Sequence, residues 1–178
     1  MRTELHLRRI EMRGFTRDDG LYEVEGRLID TKPVDITIVG GGKDVPAHSP
    51  VHDLGVRLVF DAGMVVREVA SFSQATPFAS CSGGGEALKV LVGLRIGNGW
   101  GRELRARLPS DSVCTHLKEL LAPMATTALQ SLVEERKRQP DRVNEQGRPL
   151  RIGSCFAYAA DSELVRIRWP QFHQPKPR

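Results

Sequence analysis

Five side chains in the middle of this sequence belong to the types that bind metal ions or carry out acid–base and thiol chemistry. They are Asp53, Cys81, Cys114, His116 and His52. Zinc sites in proteins use four ligands drawn from thiolate, imidazole and carboxylate groups, and these residues offer all three. We therefore predict a metal site in which Cys81, Cys114 and His116 are joined by Asp53 or His52.

The spacing of Cys114 and His116 sets a geometric condition on that site. Residues two apart on a regular helix point in nearly opposite directions, so both reach one ion only if Cys114 precedes the first turn. The polar residues at 109–112 favour a helix start there. The positive end of a helix also favours a thiolate. A second hypothesis is therefore a thiol- and histidine-dependent enzyme acting on a small molecule, with Cys114 as nucleophile and His116 or His52 as base.

Structural roles explain the same residues without any chemistry. A free cysteine often serves as a small apolar side chain in the interior, which is the simplest interpretation of Cys155 and an alternative for Cys81. Asp53 follows Pro50 closely and equally suits a turn-capping role. The third hypothesis is a non-catalytic binding subunit, and the sequence identifies no reaction.

Length and composition favour a cytoplasmic protein of one domain. The chain has 178 residues, of which 40% are hydrophobic and 27% charged, as in ordinary globular proteins. It lacks the apolar run that a membrane span needs and has no apolar stretch typical of a secretory signal. Three cysteines, an odd number, indicate reduced thiols rather than a disulfide framework.

The charge pattern and the glycine-rich loop exclude two classes of partner. The net charge is +4, but basic and acidic residues alternate and aromatic residues make up only 6% of the chain. A nucleic-acid surface is therefore not expected. The glycines at 40–42 lack the residues and the helix that complete a phosphate-binding loop, so no nucleotide cofactor is expected. The expected partners are a metal ion or small molecule, and a protein partner for a scaffold or carrier.

The hydrophobic pattern predicts an α+β fold, a largely antiparallel sheet with about three helices packed on one face. Alternation predicts a first hairpin from residues 4–13 and 21–30, with a bulge near Arg8 and Arg9, and a second from residues 54–60 and 64–72. Helices are expected at 86–94 and 100–108. A longer helix is expected to open at residues 112–116, with Ser110, Asp111 or Ser112 as its N-cap, and Pro123 is expected to kink or divide it.

The last part of the chain is predicted to add a further hairpin and a tail. Residues 150–169 contain alternating apolar positions that suggest two more strands. Residues 171–178 are rich in proline and are expected to form a flexible tail. The predicted organisation is one domain over residues 1–170 followed by this tail.

Long matching segments over nearly the whole chain resemble a bacterial family known as domain of unknown function 2889. The segments are residues 9–21, 26–32, 51–53, 91–97 and 114–128. That resemblance implies membership of a bacterial family to which no function is assigned.

Residues 51–135 also resemble, in order and spacing, the iron–sulfur scaffold domains of the NifU/IscU type. Asp53 falls at that family's aspartate, Cys81 follows the hairpin, and Cys114 begins the helical segment. His52 or Val51 stands where the family has its first cysteine, and a histidine follows Cys114 at position 116 rather than preceding it directly. The resemblance implies a NifU/SufE-like core with added N- and C-terminal strands. It also implies a metal or iron–sulfur scaffold, carrier or accessory protein, with zinc or an iron–sulfur cluster as cofactor.

Overall fold

The computed structural model describes residues 1–137 and 140–176, and their contacts divide the chain into two compact units. The first unit is Met1–Val133 and the second is Glu134–Arg178. Each unit has its own cluster of buried hydrophobic residues. The predicted boundaries, one domain to residue 170 and a tail from 171, stay a prediction, and residues 177–178 lie outside the described part.

The first unit contains one four-stranded antiparallel sheet in the order β1-β2-β3-β4. Its strands are β1, Leu7–Thr16, β2, Tyr22–Thr31, β3, Pro50–Phe60, and β4, Val66–Ala75. Each strand pairs with the next in sequence, so both predicted hairpins are confirmed. The predicted α+β class is confirmed as well, because helices accompany this sheet.

The pairing of β1 with β2 runs without a shift, so the predicted bulge near Arg8 and Arg9 is wrong. That prediction assumed that Leu5 belongs to the strand, but Leu5 precedes β1 and is exposed. Leu7 begins β1 on the face opposite to Ile10 and Met12, so the strand keeps its alternation without an extra residue. The shifts lie elsewhere, between Asp30 and Thr31 in the pairing of β2 with β3 and at two places between β3 and β4.

One face of the sheet is buried beneath helical elements. Alternate residues of β2 and β3 form this core face, and their side chains are almost completely buried: Val24, Leu28, Leu54, Val56, Leu58 and Phe60. Helix α2, Thr115–Ser131, packs on this face and contacts β1, β2 and β3. Gly26 permits the close approach, because an added Cβ would lie 3.0 Å from Cγ of Met124.

Two further helical elements complete the layer. A 3-10 segment, Ala79–Leu91, contacts β4, and helix α1, Trp100–Arg107, contacts both that segment and α2. The predicted helix at 86–94 is thus replaced by a segment that begins earlier and is wound more tightly. The indole nitrogen of Trp100 donates a hydrogen bond to the carbonyl of Leu121, 2.9 Å away, and so ties α1 to α2.

Pro123 lies inside α2 without dividing it, so that part of the prediction is wrong. Buried residues precede and follow the proline on the same face of the helix, including Leu120 and Met124. Packing of both halves on the sheet compensates for the hydrogen bond that proline cannot donate. Among the described helices, none has both the length and the apolar character that a bilayer span requires.

The second unit corrects the prediction of a C-terminal hairpin. Helix α3, Val133–Lys137, begins at the last residue of the first unit, and the described residues that follow form α4, Glu163–Arg168, and 3-10 turns at Phe156–Tyr158 and Pro170–Phe172. Val165 and Trp169 are buried together, a spacing of four that suits a helix rather than a strand. Ser162 caps α4 by accepting a hydrogen bond from the Val165 backbone at 3.2 Å.

Candidate functional site

The core face of the sheet changes from apolar to polar towards one end of its strands. Arg8 of β1 lies opposite Asp30 of β2, and Asp30 lies opposite His52 of β3. Because side chains alternate between faces, Asp30 continues the face of Leu28 and His52 continues that of Leu54. The strands therefore place a cation, a carboxylate and an imidazole side by side at the margin of the hydrophobic core.

Asp30 is the most enclosed member of this polar row, with only 1% of its surface exposed. Arg8 donates from Nε to Oδ1 and from Nη2 to Oδ2, both at 2.8 Å. His6 Nε2 lies 3.0 Å from Oδ1, and His52 Nδ1 lies 3.1 Å from Oδ2. Each oxygen thus has two partners, which matches the number of hydrogen bonds that a carboxylate oxygen accepts.

These partners keep Asp30 ionised despite its burial. Desolvation by burial raises the pKa of the carboxyl group, but the hydrogen bonds and positive charge of Arg8, followed by those of His6, outweigh it. The net result is a pKa of about 2, below the usual 3.8. Asp30 is therefore an anion near neutral pH.

His52 is an imidazole oriented by that anion. Because an ionised carboxylate only accepts hydrogen bonds, Nδ1 of His52 carries the proton and Nε2 keeps a free lone pair. Burial, and then the neighbouring His116, lower the pKa of His52 in spite of the opposing effect of Asp30. The two imidazole rings are in contact, with centroids 4.0 Å apart. His52 is consequently neutral near pH 7, the state in which histidine binds metals or accepts protons.

Cys114 and His116 enter from the start of α2. Cys114 itself is the N-cap residue, with a ψ of 123°, so the helix begins later than a cap at residues 110–112 would place it, and Cys114 meets the condition of preceding the first helical turn. Its Sγ lies 3.8 Å from Nδ1 of His116, and its backbone N–H donates to the carbonyl of Gly84 at 2.9 Å. Gly84 allows this approach, because an added Cβ would lie 2.8 Å from Cβ of Cys114. A short contact with the 3-10 segment therefore positions the thiol.

Four of the five predicted site residues line one pocket of about 540 Å³. They are His52, Cys81, Cys114 and His116. Cys81 comes from the 3-10 segment and is half-buried. The pocket is also lined by apolar side chains, among them Phe78 and Val113. The arrangement offers two thiols and two imidazoles to a ligand entering from solvent.

Asp53, the fifth predicted residue, is paired elsewhere. It follows His52 directly in β3 and therefore points to the opposite face of the sheet. There its two carboxylate oxygens accept hydrogen bonds from Nε and Nη2 of Arg27 at 2.7 and 2.6 Å. The structure brings Asp30, not Asp53, to the histidines.

Asp30 is the functional candidate that the sequence interpretation missed, although the sequence contains one sign of it. The residue stands in phase with Val24 and Leu28 on the buried face of a strand, where an aspartate is uncommon unless it is paired. Its partners His6, Arg8 and His52 lie 22 to 24 residues away in sequence.

Asp30, His52 and His116 form a cluster with metal-site dimensions. One ligand atom from each residue lies within 4.8 Å of the other two. Neither Cys81 nor Cys114 belongs to this cluster, which is the only such group of three among the described residues. Cys155, expected as an apolar filler, is instead exposed in the second unit.

One of three comparisons with known proteins gives a match for this chain. No curated protein and no solved structure matches the chain, so the resemblance to NifU/IscU-type scaffolds stays a prediction. A family described as "Protein of unknown function (DUF2889)" matches residues 6–130, which include Asp30, His52, Cys114 and His116. Because this match covers well over half of its 178 residues, the chain belongs to the DUF2889 family.

Proposed function

We propose that this protein binds one divalent transition-metal ion, with zinc as the leading candidate, and acts as a metal carrier or accessory protein. The observation that carries the proposal is the cluster of Asp30, His52 and His116, whose ligand atoms lie within 4.8 Å of one another. Metal binding requires a deprotonated carboxylate and neutral imidazoles. The lowered pKa values of Asp30 and His52 support those states near neutral pH.

The spacing of the ligand atoms supports a tetrahedral site. Bonds of about 2.0–2.1 Å to nitrogen and oxygen separate two tetrahedral ligands by about 3.3 Å. Nδ1 of His52 and Oδ2 of Asp30 are 3.1 Å apart, so an ion taking the place of the proton between them would need little movement. In the same geometry a nitrogen and a sulfur are about 3.6 Å apart. Sγ of Cys114 and Nδ1 of His116 are 3.8 Å apart, so Cys114 is our candidate for the fourth ligand; because Cys114 lies outside the 4.8 Å group, its thiol has to move closer to the other two ligands when the ion binds.

The donor set favours a single ion over an iron–sulfur cluster of the scaffold type. Most clusters are held by four thiolates, whereas this pocket is lined by two cysteines, Cys81 and Cys114. Two histidines and two cysteines do suit the Rieske type of centre. The absorption spectrum of protein purified under nitrogen distinguishes the two, because a cluster is coloured and a zinc site is not.

The proposal includes a cytoplasmic location. Cys81, Cys114 and Cys155 are all free thiols, in agreement with a reducing compartment.

The test is metal binding by protein purified without an affinity tag. We expect about one equivalent of zinc by elemental analysis, and saturable binding of zinc to the metal-free protein by calorimetry. His52→Ala and His116→Ala should each weaken binding at least tenfold, because each removes a ligand. His48→Asn is the matched control, since His48 is exposed and its φ of 64° suits asparagine. Wild-type protein that neither retains nor takes up zinc or iron would refute the proposal.

A second candidate function rests on the contact between Cys114 and His116. In a thiol-dependent enzyme, His116 accepts the thiol proton and Cys114 attacks a carbonyl carbon of a small molecule in the pocket, whose C=O π electron pair moves onto the oxygen as the carbon–sulfur bond forms. This function predicts that iodoacetamide labels Cys114 faster than Cys155 in metal-free protein, although Cys155 is the more exposed. Labelling in the order of exposure, as followed by peptide mass spectrometry, counts against the enzyme.

A further inference from the structure

Asp30 is already held by a cation before any metal ion arrives. Arg8 donates two hydrogen bonds to its carboxylate, one to each oxygen at 2.8 Å. Such a two-point contact between a guanidinium and a carboxylate is among the stronger pairings in proteins. We infer that Arg8 is an internal competitor for the metal ion, a residue that weakens metal binding and keeps the ion exchangeable. This inference rests on the proposed metal-binding function.

The carboxylate of Asp30 already accepts its full number of hydrogen bonds. Both oxygens of Asp30 have two partners, so an ion can reach Asp30 only by replacing one of them. Of these partners His52 belongs to the cluster, so it is the one that gives up its hydrogen bond to Asp30 when the ion binds. Arg8 then remains on the same carboxylate, and two cations share one anion.

The positive charge of Arg8 also repels a metal ion. The guanidinium of Arg8 stays charged at every pH at which the protein is folded, so deprotonation cannot relieve its repulsion of the metal ion. A divalent ion beside Asp30 carries two positive charges, and Arg8 carries one. At a given distance their repulsion is therefore twice that between two singly charged groups. Only about a third of the Arg8 side chain is exposed, so solvent screens this repulsion incompletely.

Arg8 also links β2 and α2, two of the three elements that supply the ligands. Its Nη1 donates to Oε2 of Glu119 in α2 at 2.8 Å, while its other nitrogens hold Asp30 in β2. This bridge could instead help binding by fixing the distance between sheet and helix. Glu119 is nearly half exposed, however, and exposed ion pairs contribute little. Repulsion therefore outweighs positioning.

The experiment compares zinc affinities of wild type and Arg8→Gln, measured by competition with a chromophoric chelator. We expect Arg8→Gln to bind zinc about tenfold more tightly or better and to release it more slowly. We also expect zinc to raise the melting temperature of Arg8→Gln more than that of wild type, because the ion replaces a missing countercharge for Asp30.

Two controls separate competition from general effects of lost charge. Glu119→Gln removes the link to α2 but keeps the pair of Arg8 with Asp30, and should change zinc affinity less than twofold. Arg17→Gln removes a guanidinium that donates to both carboxylate oxygens of Asp19, away from the cluster, and should leave affinity unchanged. Affinity in Arg8→Gln that is unchanged or weaker than in wild type overturns the inference.

A second variant keeps the test decisive if Arg8→Gln does not fold. Arg8→Met also removes the positive charge and keeps an apolar side chain of similar length, so it should bind zinc more tightly than wild type, and equal or weaker binding overturns the inference. If wild type binds zinc through His52 and His116 but neither variant at position 8 binds tighter, the inference alone fails. If wild type shows no such binding, the proposed function fails with it.

Discussion

Two buried aspartates lie on opposite faces of the same sheet and differ in their surroundings. Asp30 and Asp53 are 1% and 7% exposed, and each is held by an arginine on two oxygens. Asp53 lies on the sheet face opposite to the one on which α2 packs, and its partner Arg27 is partly exposed. Asp30 faces the helices and has two histidines as further partners. The difference shows that burial and pairing alone do not make a site, because the face decides which chemistry meets the carboxylate.

The largest expected effect is the difference in stability between Asp30→Asn and Asp53→Asn. Asp30→Asn leaves Arg8 facing a neutral group in an enclosed position, which we expect to cost about 3 kcal/mol of unfolding free energy. Asp53→Asn should cost about 1 kcal/mol, because solvent reaches Arg27. Urea unfolding of both variants measures the difference. Equal losses would contradict the contrast between the faces.

A smaller effect is expected in the pH dependence of stability. The pKa of Asp30 is about 2 in the folded protein and near 3.8 when unfolded, so its ionised form stabilises the fold above about pH 4. That contribution, about 2 kcal/mol, should disappear as the pH falls from about 4 to 2. Urea unfolding at several pH values should show a shallower acid loss in Asp30→Asn than in Asp53→Asn. An acid loss of the same steepness in both variants would be inconsistent with the lowered pKa of Asp30.

The smallest expected effect concerns Gly84, which lines the pocket next to Cys114. An added Cβ at Gly84 would press on Cys114, whereas one at Gly83 would meet nothing within 4 Å. We expect Gly84→Ala to cost about 1 kcal/mol and to displace Cys114, and Gly83→Ala to be close to neutral. Thermal unfolding measures the cost, and the alkylation rate of Cys114 reports its displacement. An unchanged rate in Gly84→Ala would mean that this contact does not position the thiol.

Much of the sheet and the start of α2 could be predicted because their signals are local. Alternation around Leu54 and Phe60 needs only neighbouring residues to be recognised, and the polar residues at 110–112 in the same way predict a helix start a few residues before the observed one at Thr115. The hairpin predicted at 150–169 failed for the same reason. Over so short a segment, a few alternating apolar residues do not distinguish a strand from the helix that buries Val165 with Trp169.

The candidate site was found only in part because its members are distant in sequence. His52, Cys114 and His116 were recognised by residue type, and the structure brings them to one pocket. Asp30 precedes Thr31, Lys32 and a proline, a context that suggests the end of a strand rather than a site.

The sequence by itself determined the residue types of a metal- or thiol-based site, the paired strands and a cysteine at a helix entrance. The paired strands and the helix start follow from periodicity and capping, which depend on neighbours along the chain. Only the tertiary structure decided that the carboxylate beside the histidines is Asp30 and that Arg8 holds it. The physical reason is the alternation of side chains: one step along β3 separates His52 on the helix-covered face from Asp53 on the other.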